Sequence, residues 1–476
     1  MLVGALAGPT TSNAADELPR GGWEFDVRFL EGLRQQRLFE LAEAWCERRE
    51  ADPKLGVAAR GRVVVERLRT VTELALTTPP EERPAVAERL HTLAKKFVDA
   101  NSSHSIALVV RTQEALGDHT LSELARQEAE VAAGSDGRAN DQARQLGRGA
   151  MRSIEQLDKE LTLLIPQRLR RPASGDELTA TELSALQHQL RYHGARAQRN
   201  VALSYPPDSD DRLLLLNRGL ELLVKSLQQV QADDPLWPWL CCEQATALRL
   251  LGKLNEARDA ALKPESSEWP TEVQAALASE LVRILLAADQ RAMAERVLAE
   301  SSGGAVGGGA TSDAGGPAEL DFARLEVAVA AWRAAIKQNK AAEIEAAQQR
   351  ALDVLAQIER NHGPYWRHRG DLLVVRVAGT GGPASADVLV RTADRLFLDK
   401  QYDEALAAYD QAAEKARTAR DEATAFTIAY RAALVQQQRE QHDSAADRLH
   451  ALAMSQPRHK QAAEAHLSAA WNLAQL

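Results

Sequence analysis

The stretch "DKQYDEALAAYDQAAEKA", Asp399 to Ala416, sets small residues at regular intervals among bulky ones. On a helix, Tyr402, Ala405, Tyr409 and Ala412 fall on one face. An alanine there lets a neighbouring helix come close, and the tyrosines fill the space between contacts. The pattern predicts one arm of a tightly packed helical hairpin.

Working outward, the rest of the chain has the same character. Of its 476 residues 45% are hydrophobic yet only 4% aromatic, so the apolar content is mostly Ala, Leu and Val. With Gln, Glu and Arg between them, these residues lose little freedom in a helix. From Gly22 onward the apolar spacing is helical, and sustained strand-like alternation is hard to find. The expected class is all-α. Thr120 with Glu123, Thr179 with Glu182 and Thr271 with Gln274 read as capping boxes at helix starts. Asp234-Pro235 reads as a cap with a first-turn proline, and "QRLRRP" (167–172) as a helix end where positive charge suits the dipole. Breaks fall at 170–177, 205–211, 262–270 and 379–385, the largest being the Gly-rich "SSGGAVGGGATSDAGGP" (301–317), read as a mobile loop or linker.

His442, Ala445, Leu449 and Leu452 repeat the opening arrangement, and Pro457 closes it. Together these segments resemble tetratricopeptide repeats. "DKQYDEALAAYDQAA" is similar to the junction between the two helices of such a repeat. Upstream, Leu389, Thr392, Ala393 and Leu396 stand where the family has large, large, small and large residues, Thr392 being a departure. "QQRLFELAEAWCERREADP" (35–53), "LGKLNEARDAAL" (251–262) and "QRAMAERVLAE" (290–300) match more thinly. Ala405 to Ala445 is 40 residues against the family's usual 34 or so, which points to longer helices.

The resemblance implies a superhelical solenoid of antiparallel helix pairs, each covering the open face of the last, with room for about eleven pairs and a Gly-rich insertion. The expected organisation is a signal-peptide remnant or disordered N-terminus (1–21), degenerate repeats (22–300), the Gly-rich linker (301–317), a helical hairpin region (318–384) and well-matched repeats (385–476). Residues 462–476 read as the first helix of a further pair.

In the family, ligands lie along the first helix of each pair. The positions this implies for a partner-binding groove are Val390, Asp394, Phe397 and Leu398, then Thr427, Tyr430, Leu434 and Gln437, with an exposed Phe397 beside Tyr430. The expected partner is a protein or peptide, and the expected role a non-enzymatic scaffold or adaptor. "HGPYWRHRG" (362–370) offers a second aromatic and basic cluster, Tyr365, Trp366, Arg367 and Arg369, for which packing of the Trp between helices is the competing reading. That segment also resembles one in large tetratricopeptide proteins of planctomycete bacteria. "PLWPWL" (235–240) is another aromatic cluster at an expected helix start.

Other classes are disfavoured. Lys and Arg number 58 against 67 Asp and Glu, a formal charge of −9, which speaks against nucleic-acid binding by the whole surface. Cys46, Cys241 and Cys242 form neither a metal motif nor a disulfide framework and read as small buried hydrophobes. None of the 11 histidines has a zinc-ligand spacing, and His188 and His193 fall on different helical faces. No cofactor motif or transmembrane run appears. Two alternatives remain: the superhelical region of a larger peptidoglycan- or polysaccharide-acting enzyme, and a cytoplasmic adaptor. Residues 2–15, apolar and then small, read as the tail of a secretory signal, with the mature chain starting near Ala15 or Asp16 in the periplasm or outside the cell.

Overall fold

The computed structural model describes residues 22–131, 137–264, 269–303, 317–379 and 384–476. These hold twenty helices and no strand, the all-α class the composition predicts. The described residues form two compact units, one within 22–130 and 137–273, the other of Val131 and the described residues from 274 to 476. The first contains α1 (Gly22–Gln35), α2 (Phe39–Glu50), α3 (Val57–Thr77), α4 (Arg83–Ala100), α5 (Ile106–Val131), α6 (Arg138–Arg170), α7 (Ala180–Leu203), α8 (Asp210–Leu227), α9 (Trp237–Leu250) and α10 (Leu254–Leu262). From Gln274 onward the second holds α11 (Thr271–Ala287), α12 (Arg291–Gly303), α13 (Ala318–Gln338), α14 (Ala341–His362), α15 (Pro364–Ala378), α16 (Ala386–Leu398), α17 (Tyr402–Thr418), α18 (Glu422–Gln438), α19 (His442–Ser455) and α20 (Ala462–Leu473). The expected N-terminal segment 1–21 and residues 304–316 of the Gly-rich stretch lie outside the described residues.

One turn recurs through both units. Arg37, Asp289, Asn339, Lys400, Arg420 and Glu440 have φ between 53° and 61°, and Gly252 has φ 77°. After α16 the Lys400 N–H donates to Phe397 O at 3.0 Å and the Gln401 N–H to Leu396 O at 2.9 Å. This is a Schellman turn, which satisfies the last carbonyls of one helix while reversing the chain into the next. The same two bonds recur at the other six positions.

Five residues beyond each left-handed residue stands a side chain sealed in the seam between the two helices. It is Ala42, Ala257, Ala294, Ala405 and Ala445, each 0% exposed, and Ala425 at 2%. Only after Asn339 is it larger, Ile344 at 2%. The spacing of the opening stretch thus has its physical cause: a three-residue reversal presses the first turn of the second helix onto the last turn of the first, where a methyl group fits. Tyr409 and Ala412 are buried on the same face, and Tyr402 is half-buried against the Phe397 ring, 5.6 Å between centroids.

Between α3 and α9 the connections differ and the helices are long, 26 residues in α5, 33 in α6 and 24 in α7. Close approach there uses glycine. A Cβ on Gly61 would lie 2.5 Å from Ile106 Cγ1, and one on Gly117 2.5 Å from Leu90 Cδ2.

The capping box at Thr179 is formed: its hydroxyl accepts from Glu182 N at 3.2 Å and the Glu182 carboxylate accepts from Thr179 N at 2.8 Å. Thr120 is a correction, since it lies inside α5 and its hydroxyl donates to the Leu116 carbonyl. Asp234 accepts from Leu236 N just ahead of α9, whose first-turn proline is Pro238 rather than Pro235. Helix α6 ends at Arg170 with Arg168 and Arg170 in its last turn, as expected from the dipole. The segment 318–384 contains three helices, α13 to α15, around Trp332 at 2% exposure.

Candidate functional site

Helices α16 and α18 are the first helices of successive pairs and carry the groove positions that the resemblance implies. Several of these side chains reach the next first helix. Asp394 accepts from Tyr409 Oη on α17 and pairs with Arg431 of α18, whose Nη1 lies 3.3 Å away. Thr427 Oγ1 lies 3.2 Å from Gln461 Oε1, beside the start of α20. Gln437 Oε1 accepts from Asn472 Nδ2 at 3.1 Å, and Tyr430 Oη is 3.4 Å from Ser468 Oγ. Desolvation and the Asp394 carboxylate both push the Tyr409 hydroxyl far above its usual range, so it stays a donor.

The apolar candidates divide by exposure. Leu398 is 56% exposed, while Val390, Phe397 and Leu434 are half-buried. Phe397, expected to be exposed beside Tyr430, is half-buried and meets Tyr402, while Tyr430 is 6% exposed and packs with Phe426, Leu449 and Ala465. On the face of α16 that carries the candidates, Leu398 is exposed, Val390 and Phe397 are half-buried and Asp394 pairs with Arg431. Arg431 was not legible as a groove residue, because an arginine between Tyr430 and Ala432 looks like any solvated helix position. A hollow of about 500 Å³ lies at the ends of α17, α18 and α19, lined by Arg417, Glu422, Phe426 and Gln456 among others.

The second cluster is tied into its own helices. Trp366 packs on Phe322 of α13 at 5.5 Å, and Tyr365 meets Trp366 edge-on at 5.3 Å. The Arg369 guanidinium lies over both the Phe322 and Trp366 rings, 4.4 and 5.4 Å from their centroids. Arg367 pairs with Glu359 of α14 at 2.8 Å, and His362 Nε2 is 2.8 Å from Asp321 Oδ2. The Trp fills space between helices, the packing reading of this segment.

Among the described residues no group of three or more His, Cys, Asp or Glu is placed to hold a metal ion, and no helix is long and apolar enough to cross a membrane. His188 faces Ser226 of α8 and His193 faces His119 of α5, the divergence their spacing predicts. Desolvation pushes the buried Cys46 and Cys241 thiols up to about 12 and about 11, so both are inert hydrophobes; Cys242 is half-buried.

No protein-family model matches the sequence, and a comparison with curated proteins gives no match. Among solved structures, a Rap protein complexed with Competence and Sporulation Factor is 12% identical over 89% of this chain and 99% of its own, with a TM-score of 0.37. The human IFIT1 dimer with PPP-AAAA is 14% identical over 82% of this chain and 81% of its own, at 0.33. A STAND protein with a tetratricopeptide repeat sensor from Pyrococcus horikoshii is 10% identical over 97% of this chain and 66% of its own, at 0.29. At these identities and scores none of the likenesses bears on what the chain binds. The helical-hairpin architecture rests on the chain's own turns and seam alanines.

Proposed function

We propose that the chain is a non-enzymatic protein-binding scaffold or adaptor, docking a peptide or helical segment of its partner along the first helices of its C-terminal pairs. The observation that supports this most is the face of α16, which carries exposed Leu398, half-buried Val390 and Phe397, and the Asp394–Arg431 pair. Such a surface offers apolar contact and a charge pair that fixes register, on helices already formed, so little ordering entropy is lost on binding. A location in the bacterial cell envelope is part of the same proposal and rests on the pattern of residues 2–15.

The test is affinity capture from nuclease-treated lysate of the source organism, read by mass spectrometry, comparing wild type with a Leu398→Asp/Arg431→Glu variant of unchanged helicity. A protein captured by wild type and lost by the variant is the expected result. A partner held equally by both overturns the α16–α18 assignment, and capture of nucleic acid alone without nuclease overturns the protein-binding reading.

A further inference from the structure

Two imidazoles meet inside the first unit, where α5 packs on α7. His119 is 2% exposed, and neither of its ring nitrogens has a hydrogen-bond partner. The His193 ring stands edge-on to it, 5.8 Å between centroids, with its Nδ1 also buried and without a partner. Tyr192 closes on His193 at 5.0 Å.

The charged groups that face the pair are Glu123 from α5 and Arg196 and Arg199 from α7. Arg196 holds both Glu123 oxygens, at 3.0 and 2.8 Å, and Arg199 holds Glu243 of α9 at 2.6 Å. Beyond these, Arg126 of α5 also bears on Glu123, while beside the rings Gly117 faces Thr72 of α3 and Leu90 of α4, and Gly194 faces Ile154 of α6 and Leu222 of α8.

A neutral imidazole suits this site, but an imidazolium does not. Protonation gives each ring two N–H donors and a positive charge. The nearest carboxylate is already committed to Arg196, and two guanidinium groups stand close.

We propose that the α5–α7 contact is an acid-labile joint, closed while the His119–His193 pair is neutral and loosened when the pair takes up protons. The direction of titration agrees with the geometry. Desolvation first, then Arg196 and Arg199, hold His119 down at about 4, and desolvation with Arg196 holds His193 well below its usual value. A base depressed in the folded state binds its proton more readily when unfolded. The stabilisation is therefore complete above the unfolded value near 6.5 and is lost as pH falls towards about 4. Burial alone would raise the Glu123 carboxyl, but Arg196 outweighs it and keeps the group ionised across that window. His91 shifts the other way, raised by its bond to Asp118, so the pair must be tested by itself.

The experiment is hydrogen exchange of the α5 and α7 amides at pH 7 and pH 5, corrected for intrinsic rates, in wild type and a His119→Leu/His193→Leu variant. Wild type is expected to lose roughly tenfold or more of its protection in these two helices at pH 5, the equivalent of one pKa unit, while the variant keeps it. Equal loss in both proteins, or loss in neither, overturns the proposal. Should the variant not fold, ring-nitrogen NMR of wild type decides: both rings neutral at pH 5.5 in the closed protein is expected, and protonation near 6.5 with protection intact overturns it.

Discussion

In helices α16 to α19 the seams are filled by alanine, with Ala405, Ala412, Ala432 and Ala445 all at 0% exposure. Between α1 and α9 successive first helices are joined by buried charged side chains, whereas the Asp394–Arg431 pair that joins α16 to α18 is 40% and 47% exposed. Arg34 of α1 reaches Glu66 of α3 at 2.9 Å, and Arg69, which also binds Glu66 at 2.6 Å, extends to Gln113 of α5 at 3.3 Å. Glu123 and Arg196 then join α5 to α7, and Arg199 and Glu243 join α7 to α9. Methyl groups permit close approach without fixing partners, whereas an ion pair in a seam fails unless its exact complement is opposite. The first region is therefore tolerant in partner but strict in volume, and the second is strict in charge.

The largest effect should come from breaking that charge requirement. Glu66, 4% exposed, serves two arginines whose side chains are 6% and 8% exposed. Glu66→Ala leaves Arg34 with Glu73 alone, 3.2 Å away, and Arg69 with the Gln113 bond alone, and should cost about 3–5 kcal/mol of local stability, read as lost exchange protection in α1 and α3. The quadruple change Arg34→Met/Glu66→Leu/Arg69→Met/Glu73→Gln should recover most of it, since it also removes the Glu73 charge that pairs with Arg34, and apolar replacement of a whole buried cluster is often neutral. If Glu66→Ala costs under about 1 kcal/mol, the contrast between the two regions is lost.

Next comes volume in the alanine seams. Ala405→Leu should cost about 1–3 kcal/mol by overpacking the α16–α17 seam, while Ala407→Leu, two residues on and exposed, should stay within about 0.5 kcal/mol. Thermal unfolding of the two variants side by side measures the difference, and equal melting points would mean the seam is not tightly packed.

How much of this could be read beforehand follows from the same contrast. An alanine three residues into an apolar face is visible in a string, so Ala405 and Ala445, and more faintly Ala42, Ala257 and Ala294, disclosed the helix pairs. The turns that create the spacing were hidden, because their left-handed positions are filled by Arg37, Asp289, Asn339, Lys400, Arg420 and Glu440 where a stop signal would be glycine. The charged seams were hidden for a different reason. Arg34, Glu66 and Arg196 have the spacing of a solvated helix face, and only the neighbouring helix reveals that they are enclosed. Of the groove candidates, Leu398 is 56% exposed and the Asp394 side chain 40%, whereas Tyr430 turns inward to the core of α18 to α20, which a single-helix pattern does not distinguish.

A smaller effect tests whether glycine in the first unit plays the part of alanine in the second. Gly61→Ala sets a methyl group 2.5 Å from Ile106 Cγ1 and 3.0 Å from Phe97 Cζ. Overpacking should exceed the helix-propensity gain of about 1 kcal/mol and leave a net cost of about 1 kcal/mol, seen as faster exchange where α3, α4 and α5 meet. A stabilised variant would show that those helices have slack, unlike the α16–α17 seam.

The smallest effect concerns the turn the two regions share. At Lys400, φ is 61°, a region that disfavours an L side chain by about 1–2 kcal/mol. Glycine removes that strain, but its freer unfolded chain returns roughly 0.5–1 kcal/mol of it. Lys400→Gly should therefore stabilise the α16–α17 hairpin by about 0.5 kcal/mol, a small rise in melting temperature. Gly252 provides the reciprocal measurement, since its φ of 77° already suits glycine and Gly252→Ala should destabilise the α9–α10 hairpin. Opposite signs at the two sites would establish that one turn geometry, not one turn residue, sets the five-residue spacing to Ala257 and Ala405. A loss at both sites would mean that the Lys400 side chain contributes something beyond its backbone angle.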